Sequence, residues 1–136
     1  MWRSMVLVLA LSLGGAPVFA ETLHDVGVRV LQQKAALDAA SADKVQAVVD
    51  RYKPKLDPLR HEDLQIMRRL RGATDDREAK KLTDKLLKNR QRLQSLKVDR
   101  LHDIGKLLTP TQLARLITSM PTIDRAVHRE ARKLHG

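Results

Sequence analysis

Five histidines, His24, His61, His102, His128 and His135, are the side chains of this sequence best suited to chemistry near neutral pH. An imidazole can hold a metal or carry a proton there. Their spacing restricts both uses. No cysteine is present to add a thiolate ligand, and no two histidines stand four apart, the spacing that puts a ligand pair on one helix face. His61 adjoins Glu62 and Asp63, but consecutive helical residues point in different directions. His128 and His135 are seven apart and share a helix face, yet Arg129, Arg132 and Lys133 crowd them with positive charge. The best cluster available is His24, Asp43 and His102, if a first helix folds back over the end of a later hairpin. Imidazole with carboxylate would suit a divalent transition metal there. Solvated or locally hydrogen-bonded histidines are the simpler reading, so no metal site and no cofactor is assigned.

Covalent catalysis needs a nucleophile beside a base that a third group orients. The few serines and threonines fall mostly at helix starts and turns, and there is no glycine-rich loop. Asp75-Asp76 reads as a helix start and Glu62-Asp63 as a solvated face. The chain is therefore expected to act by binding and not as an enzyme.

The elements that must position these residues begin after residue 20. Met1-Trp2-Arg3-Ser4 is a short basic start, Met5 to Leu13 is apolar, and Val18-Phe19-Ala20 precedes Glu21. That order marks a secretory signal peptide cut after Ala20. Its apolar core is too short to span a bilayer, which takes about 20 residues. The expected organisation is a signal peptide over 1–20 and one all-helical periplasmic domain over 21–136. Without Arg3 the 26 basic residues become 25 against 16 acidic ones, a net charge of +9. Tyr52 is then the one aromatic residue left. So few aromatics argue against β architectures and against base-stacking nucleic-acid readers, and export removes nucleic acid as a partner. Membrane-surface helices usually carry Trp or Phe on the apolar side, and the exported part has neither.

Hydrophobic periodicity predicts four helices. The first covers Leu23 to Leu37, with Val26, Val30 and Leu37 inward. Asp38-Ala39-Ala40-Ser41 is a break with Ser41 as N-cap. The second runs from Ala42 to Leu70 on a stripe from Val45 to Leu70; Pro54 and Pro58 should bend it or divide it in two. Gly72-Ala73-Thr74 makes a turn. Asp75 with Glu78 forms an aspartate version of the capping box, opening a third helix that reaches Lys106. Asn89 and Arg100 occupy core-like positions in its leucine stripe. In Leu108-Thr109-Pro110-Thr111-Gln112, Thr109 is an N-cap, Pro110 the favoured first residue and Gln112 the returning side chain of a full capping box. The fourth helix follows, with Leu113, Leu116, Ile117, Met120, Ile123, Val127, Ala131 and Leu134 on one side and Pro121 as a bend or interruption.

A short turn makes the second and third helices an antiparallel hairpin, in which facing residue numbers should add to about 146. Two thin helices cannot enclose a core, so the flanking helices or a second copy must cover them. With its signal peptide, helical and aromatic-poor composition, long charged hairpin and the Leu-Thr-x-x-Gln motif at Leu108 to Gln112, the chain resembles the Spy/CpxP-like family of periplasmic proteins. The stretch Ala40 to Lys44, where the family carries a related motif, keeps a hydroxyl but lacks the leucine and the glutamine. The resemblance implies a curved helical homodimer. It also implies one of three roles: holding unfolded or stress-related envelope proteins without ATP, restraining a membrane sensor kinase, or binding metal ions and reporting them to a regulator. Residues 77–100 carry nine basic and three acidic side chains, a charge balance that would attract acidic or partly unfolded chains. The expected function is a periplasmic ATP-independent chaperone or envelope-stress adaptor. The alternative is a periplasmic heavy-metal sensor or resistance protein.

Overall fold

The computed structural model describes residues 21–135. The expected signal peptide lies outside them. The described residues are all-α, in four helices without strands: α1 over Leu23–Lys34, α2 over Ala39–Arg71, α3 over Asp76–Gly105 and α4 over Pro110–His135. None is long and apolar enough to cross a membrane.

Each start has a chemical cause. Thr22 caps α1 in a capping box: its hydroxyl accepts from Asp25 N while the Asp25 carboxylate accepts from Thr22 N, both at 3.1 Å. α1 ends at Lys34, three residues before the expected Leu37. Ala36 takes a left-handed backbone with φ 54, and Leu37 enters the core from the connection, alongside Leu31. A left-handed residue just past a helix, followed by an apolar contact back to its last turns, is a standard stop.

α2 begins three residues earlier than the periodicity suggested. Asp38, not Ser41, is its N-cap, accepting from Ser41 N at 3.1 Å. A carboxylate caps as well as a hydroxyl, and Ala39 and Ala40 are strong helix formers that let the helix start at once. The helix then runs unbroken through Pro54 and Pro58. Each proline removes one backbone donor, but Tyr52 and Leu56 are buried between the helices around them, and that packing carries the chain through.

The expected Asp75–Glu78 capping box is also corrected. Asp75 accepts from Arg77 N at 3.3 Å, whereas Glu78 turns to Arg69 across the turn, 3.9 Å away. An opposite charge on the facing helix competes successfully for a side chain that local geometry would have turned back.

α2 and α3 form the antiparallel hairpin, about 50 Å long at ~1.5 Å per residue. Its register drifts from the expected one. Facing pairs add to 147 at Arg69–Glu78, 148 where Asn89 Nδ2 donates to Leu59 O at 2.8 Å, and 155 where Tyr52 OH donates to Asp103 at 2.5 Å. Helical side chains lean toward their own N-terminus. In an antiparallel pair both partners therefore reach one or more residues back, which raises the sum, most for long side chains.

The core is uneven. At the open end of the hairpin, α1 and α4 pack on it and on each other. Val26, Val30, Leu37, Val45, Leu56, Ile104, Leu116 and Ile123 belong to one buried cluster there. Toward the turn only Ile66, Leu82 and Leu86 are buried, with Met67 and Leu70 beside them. Ile117 and Leu134, placed in the apolar stripe of the last helix by the sequence, are exposed, as is Leu107, and Ala126 is buried. α4 leans mainly on α1, so its inner face is centred on Leu116, Ile123 and Ala126. Leu107 falls beyond the end of α3.

Candidate functional site

Leu108 to Gln112 folds into the helix start its spelling indicates. Gln112 N donates to Thr109 Oγ1 at 3.2 Å, and Thr109 N donates to Gln112 Oε1 at 3.0 Å. Pro110 opens α4, where a missing N–H costs nothing. Leu108 is half-buried against the main core. These four residues fix where α4 leaves the hairpin, and they present no reactive group.

The histidines do not assemble as the sequence allowed. His24, Asp43 and His102 form no metal cluster. Among the described residues, no group of three His, Asp or Glu side chains is placed to hold a metal ion. His24 instead lies between two carboxylates of α2. Its Nε2 is 2.7 Å from Asp43 Oδ1 and its Nδ1 2.5 Å from Asp50 Oδ2. Each ring nitrogen thus faces a carboxylate oxygen and not a second imidazole. His102 is exposed on α3, next to the residue that binds Tyr52, farther along the hairpin than the expected register put it. His61 bonds Gln65 one turn on, at 2.9 Å.

Asp50, Gln46 and Gly27 were not singled out by sequence reasoning. Gln46 Nε2 donates to Asp50 Oδ1 at 2.9 Å. The Gln46 amide fills the space a side chain at Gly27 would take: a Cβ built on Gly27 would lie 2.0 Å from Gln46 Oε1. The signals were present but weak. Asp50 follows Asp43 by seven residues, hence on the same face, and Gly27 interrupts a run of valines.

A second polar cluster ties α2 to α3. Asp103 accepts from Tyr52 OH and, at 3.0 Å, from Arg51 Nη2. The phenol bond holds the Asp103 carboxyl below its ordinary range and the Tyr52 hydroxyl above its own. Lys55 Nζ stands 5.2 Å from the Tyr52 ring centroid, within cation–π reach. Arg100, in its core-like position, is half-buried. Burial pushes its guanidinium below the ordinary value, nearby Arg60 adds to that, and Asp124 opposes it.

Midway along the hairpin lies a shallow groove lined by Leu59, Lys88, Gln91, Arg92, Ser95 and Leu96. Two aliphatic side chains form its apolar part, and two cations and two polar groups surround them. Neither Lys88 nor Arg92 has an ion-pair partner among the described residues. The buried Asn89 lies one residue from Lys88; its Oδ1 has no hydrogen-bond partner among the described residues. Nearer the turn, Leu64 and Leu87 are 65% and 55% exposed, the most open of the large apolar side chains among the described residues. Leu59 and Leu64 stand about 140° apart around α2, so apolar surface flanks this half of the hairpin on two sides.

No family model matches the chain, and no curated protein or solved structure matches it either.

Proposed function

We propose that this protein is a periplasmic, ATP-independent chaperone or envelope-stress adaptor that acts by binding other proteins. The observation that carries the reading is the mid-hairpin groove. Leu59 and Leu96 offer aliphatic contact, and Lys88 and Arg92 stand beside them without intramolecular partners. Such a surface suits segments that are partly unfolded, bear aliphatic side chains and are rich in carboxylates. Charge attraction acts first and at long range, and apolar contact then slows release. Exposed Leu64 and Leu87 extend the adaptable surface toward the turn. The sequence resemblance to the Spy/CpxP-like family, the leader-like first 20 residues and the net positive charge support the same reading. A membrane sensor kinase or regulator with an acidic outer face is the partner class for the adaptor form. A homodimer belongs to the proposal because the hairpin is thin and Leu107, Ile117 and Leu134 remain exposed.

The test is suppression of aggregation of an acidic, chemically unfolded client, without nucleotide. Stoichiometric suppression is expected, weakened by added salt and by the double variant Lys88→Glu, Arg92→Glu. Absence of suppression would overturn the chaperone reading; suppression indifferent to both changes would show that the groove is not where clients bind.

A further inference from the structure

The His24 contact has a consequence for how α1 is held. A neutral imidazole has one N–H and can donate to one acceptor; the imidazolium has two. His24 has a carboxylate oxygen against each ring nitrogen, Asp43 at 2.7 Å and Asp50 at 2.5 Å, so the arrangement is that of the charged ring. Asp50 is held in place from its other side by Gln46, whose amide occupies the gap above Gly27. Gly27, Gln46, Asp50, His24 and Asp43 thus form one chain of contacts between the two helices.

The helix so fastened depends on its docking. α1 has 12 residues, and isolated helices shorter than ~12–15 residues are marginal in water. Its inner residues Val26, Val30 and Leu31 lie in one buried cluster with Val45 and Val48 of α2. Where α1 leaves, the apolar face of α2 is bared.

We propose that His24 is a protonation-controlled latch that fastens α1 over the apolar face of α2, and that loss of its proton frees one of the two carboxylate anchors and lets α1 release. The other charged groups around the latch are few. On α1, Asp25 is engaged by Thr22. From α4, Glu130 reaches α1 at Arg29, 3.4 Å away, and Glu21 takes the same arginine at 2.8 Å. The bonds from Asp43 and then Asp50 hold the His24 ring above its ordinary value of 6.5, with partial burial opposing them. A ring whose folded value exceeds its unfolded one stabilises docking in full below about 6.5, and that contribution is lost as pH rises through the folded value. The latch does not depend on the chaperone reading.

Amide hydrogen exchange on the intact chain at about pH 6 and about pH 8.5 tests it, with α3 as internal standard for the intrinsic rise in exchange rate. Protection of α1 relative to α3 should fall several-fold at the higher pH. In His24→Gln it should be low at both and no longer depend on pH. An unchanged ratio in the native chain would overturn the proposal. Ring titration of the native protein by NMR gives a reading that no variant has to survive. His24 should titrate above 6.5 and move down in Asp43→Asn and Asp50→Asn. A native His24 titrating at or below that value would also overturn it.

Discussion

Toward the open end of the hairpin, Leu56 and Val45 belong to a buried cluster that draws residues from all four helices; near the turn, Ile66, Leu82 and Leu86 have only each other's helices. The same two helices run through both regions, with apolar residues at the same helical spacing. What differs is cover. A helix pair buries one stripe on each partner, and everything to either side of it stays in water unless a third element arrives. α1 and α4 arrive only at the open end. The turn half therefore holds its register with polar ties, Asn89 to Leu59 O and Arg90 to Asp63, and keeps Leu64 and Leu87 exposed. Regions with few buried apolar contacts open at lower cost. Exposed Leu64 and Leu87 thus lie where there is least packing to lose, whereas the groove residues Leu59 and Leu96 still lean on the main core.

The largest test of this contrast is a matched pair of truncations read by urea denaturation. Leu56 is 0% and Leu82 2% exposed, so burial of the residue itself is the same. Leu56→Ala should cost about 3–5 kcal/mol, because a rigid surround cannot collapse into the cavity. Leu82→Ala should cost about 2–3 kcal/mol, since two helices and solvent can close on the gap. Equal costs would erase the distinction between the two ends.

Thr109→Ala sharpens it from the open end. Losing the cap of α4 should cost about 1 kcal/mol, visible as a lower melting temperature; no change would mean that α4 docks without its cap. Asn89→Leu addresses the other half. It removes a buried acceptor that has no partner, and Leu59 O stays in its own helix, so stability should rise by about 1 kcal/mol. A loss instead would show that the bond from Asn89 to Leu59 O contributes more than the unpartnered Oδ1 costs. The smallest effect is expected at Ala36→Gly. Glycine relieves the left-handed residue that ends α1, but it also frees the unfolded chain. The gain should be below about 1 kcal/mol, read from the shift in the thermal midpoint.

Much of the fold was legible along the chain. Thr109, Pro110 and Gln112 announce α4 because a cap is chemistry between residues three apart. Asp75 announces α3 as an N-cap, though through Arg77 N two residues on, and Gly72 to Thr74 announces the turn. The limits of local reasoning appear at particular residues. Ser41 is a good cap, but Asp38 is an equally good one met earlier. Glu78 suits a capping box, yet Arg69 on the facing helix draws it away. Pro54 and Pro58 weaken a helix locally, and burial of Tyr52 and Leu56 outweighs them.

The site residues divide along the same line. By itself the sequence determined the class of fold, the four helices, the basic surface and the start of α4, since each follows from residue type and short spacing. Only the tertiary structure decided that His24 meets Asp43 and Asp50 and not His102, that Gln46 lies over Gly27, and that Leu59 and Leu96 share a groove with Lys88 and Arg92. Those contacts join residues from 19 to 37 positions apart. They depend on the register of one helix against another, which is set by the sum of many side-chain contacts and by the direction in which each side chain leans, and no short motif encodes that sum.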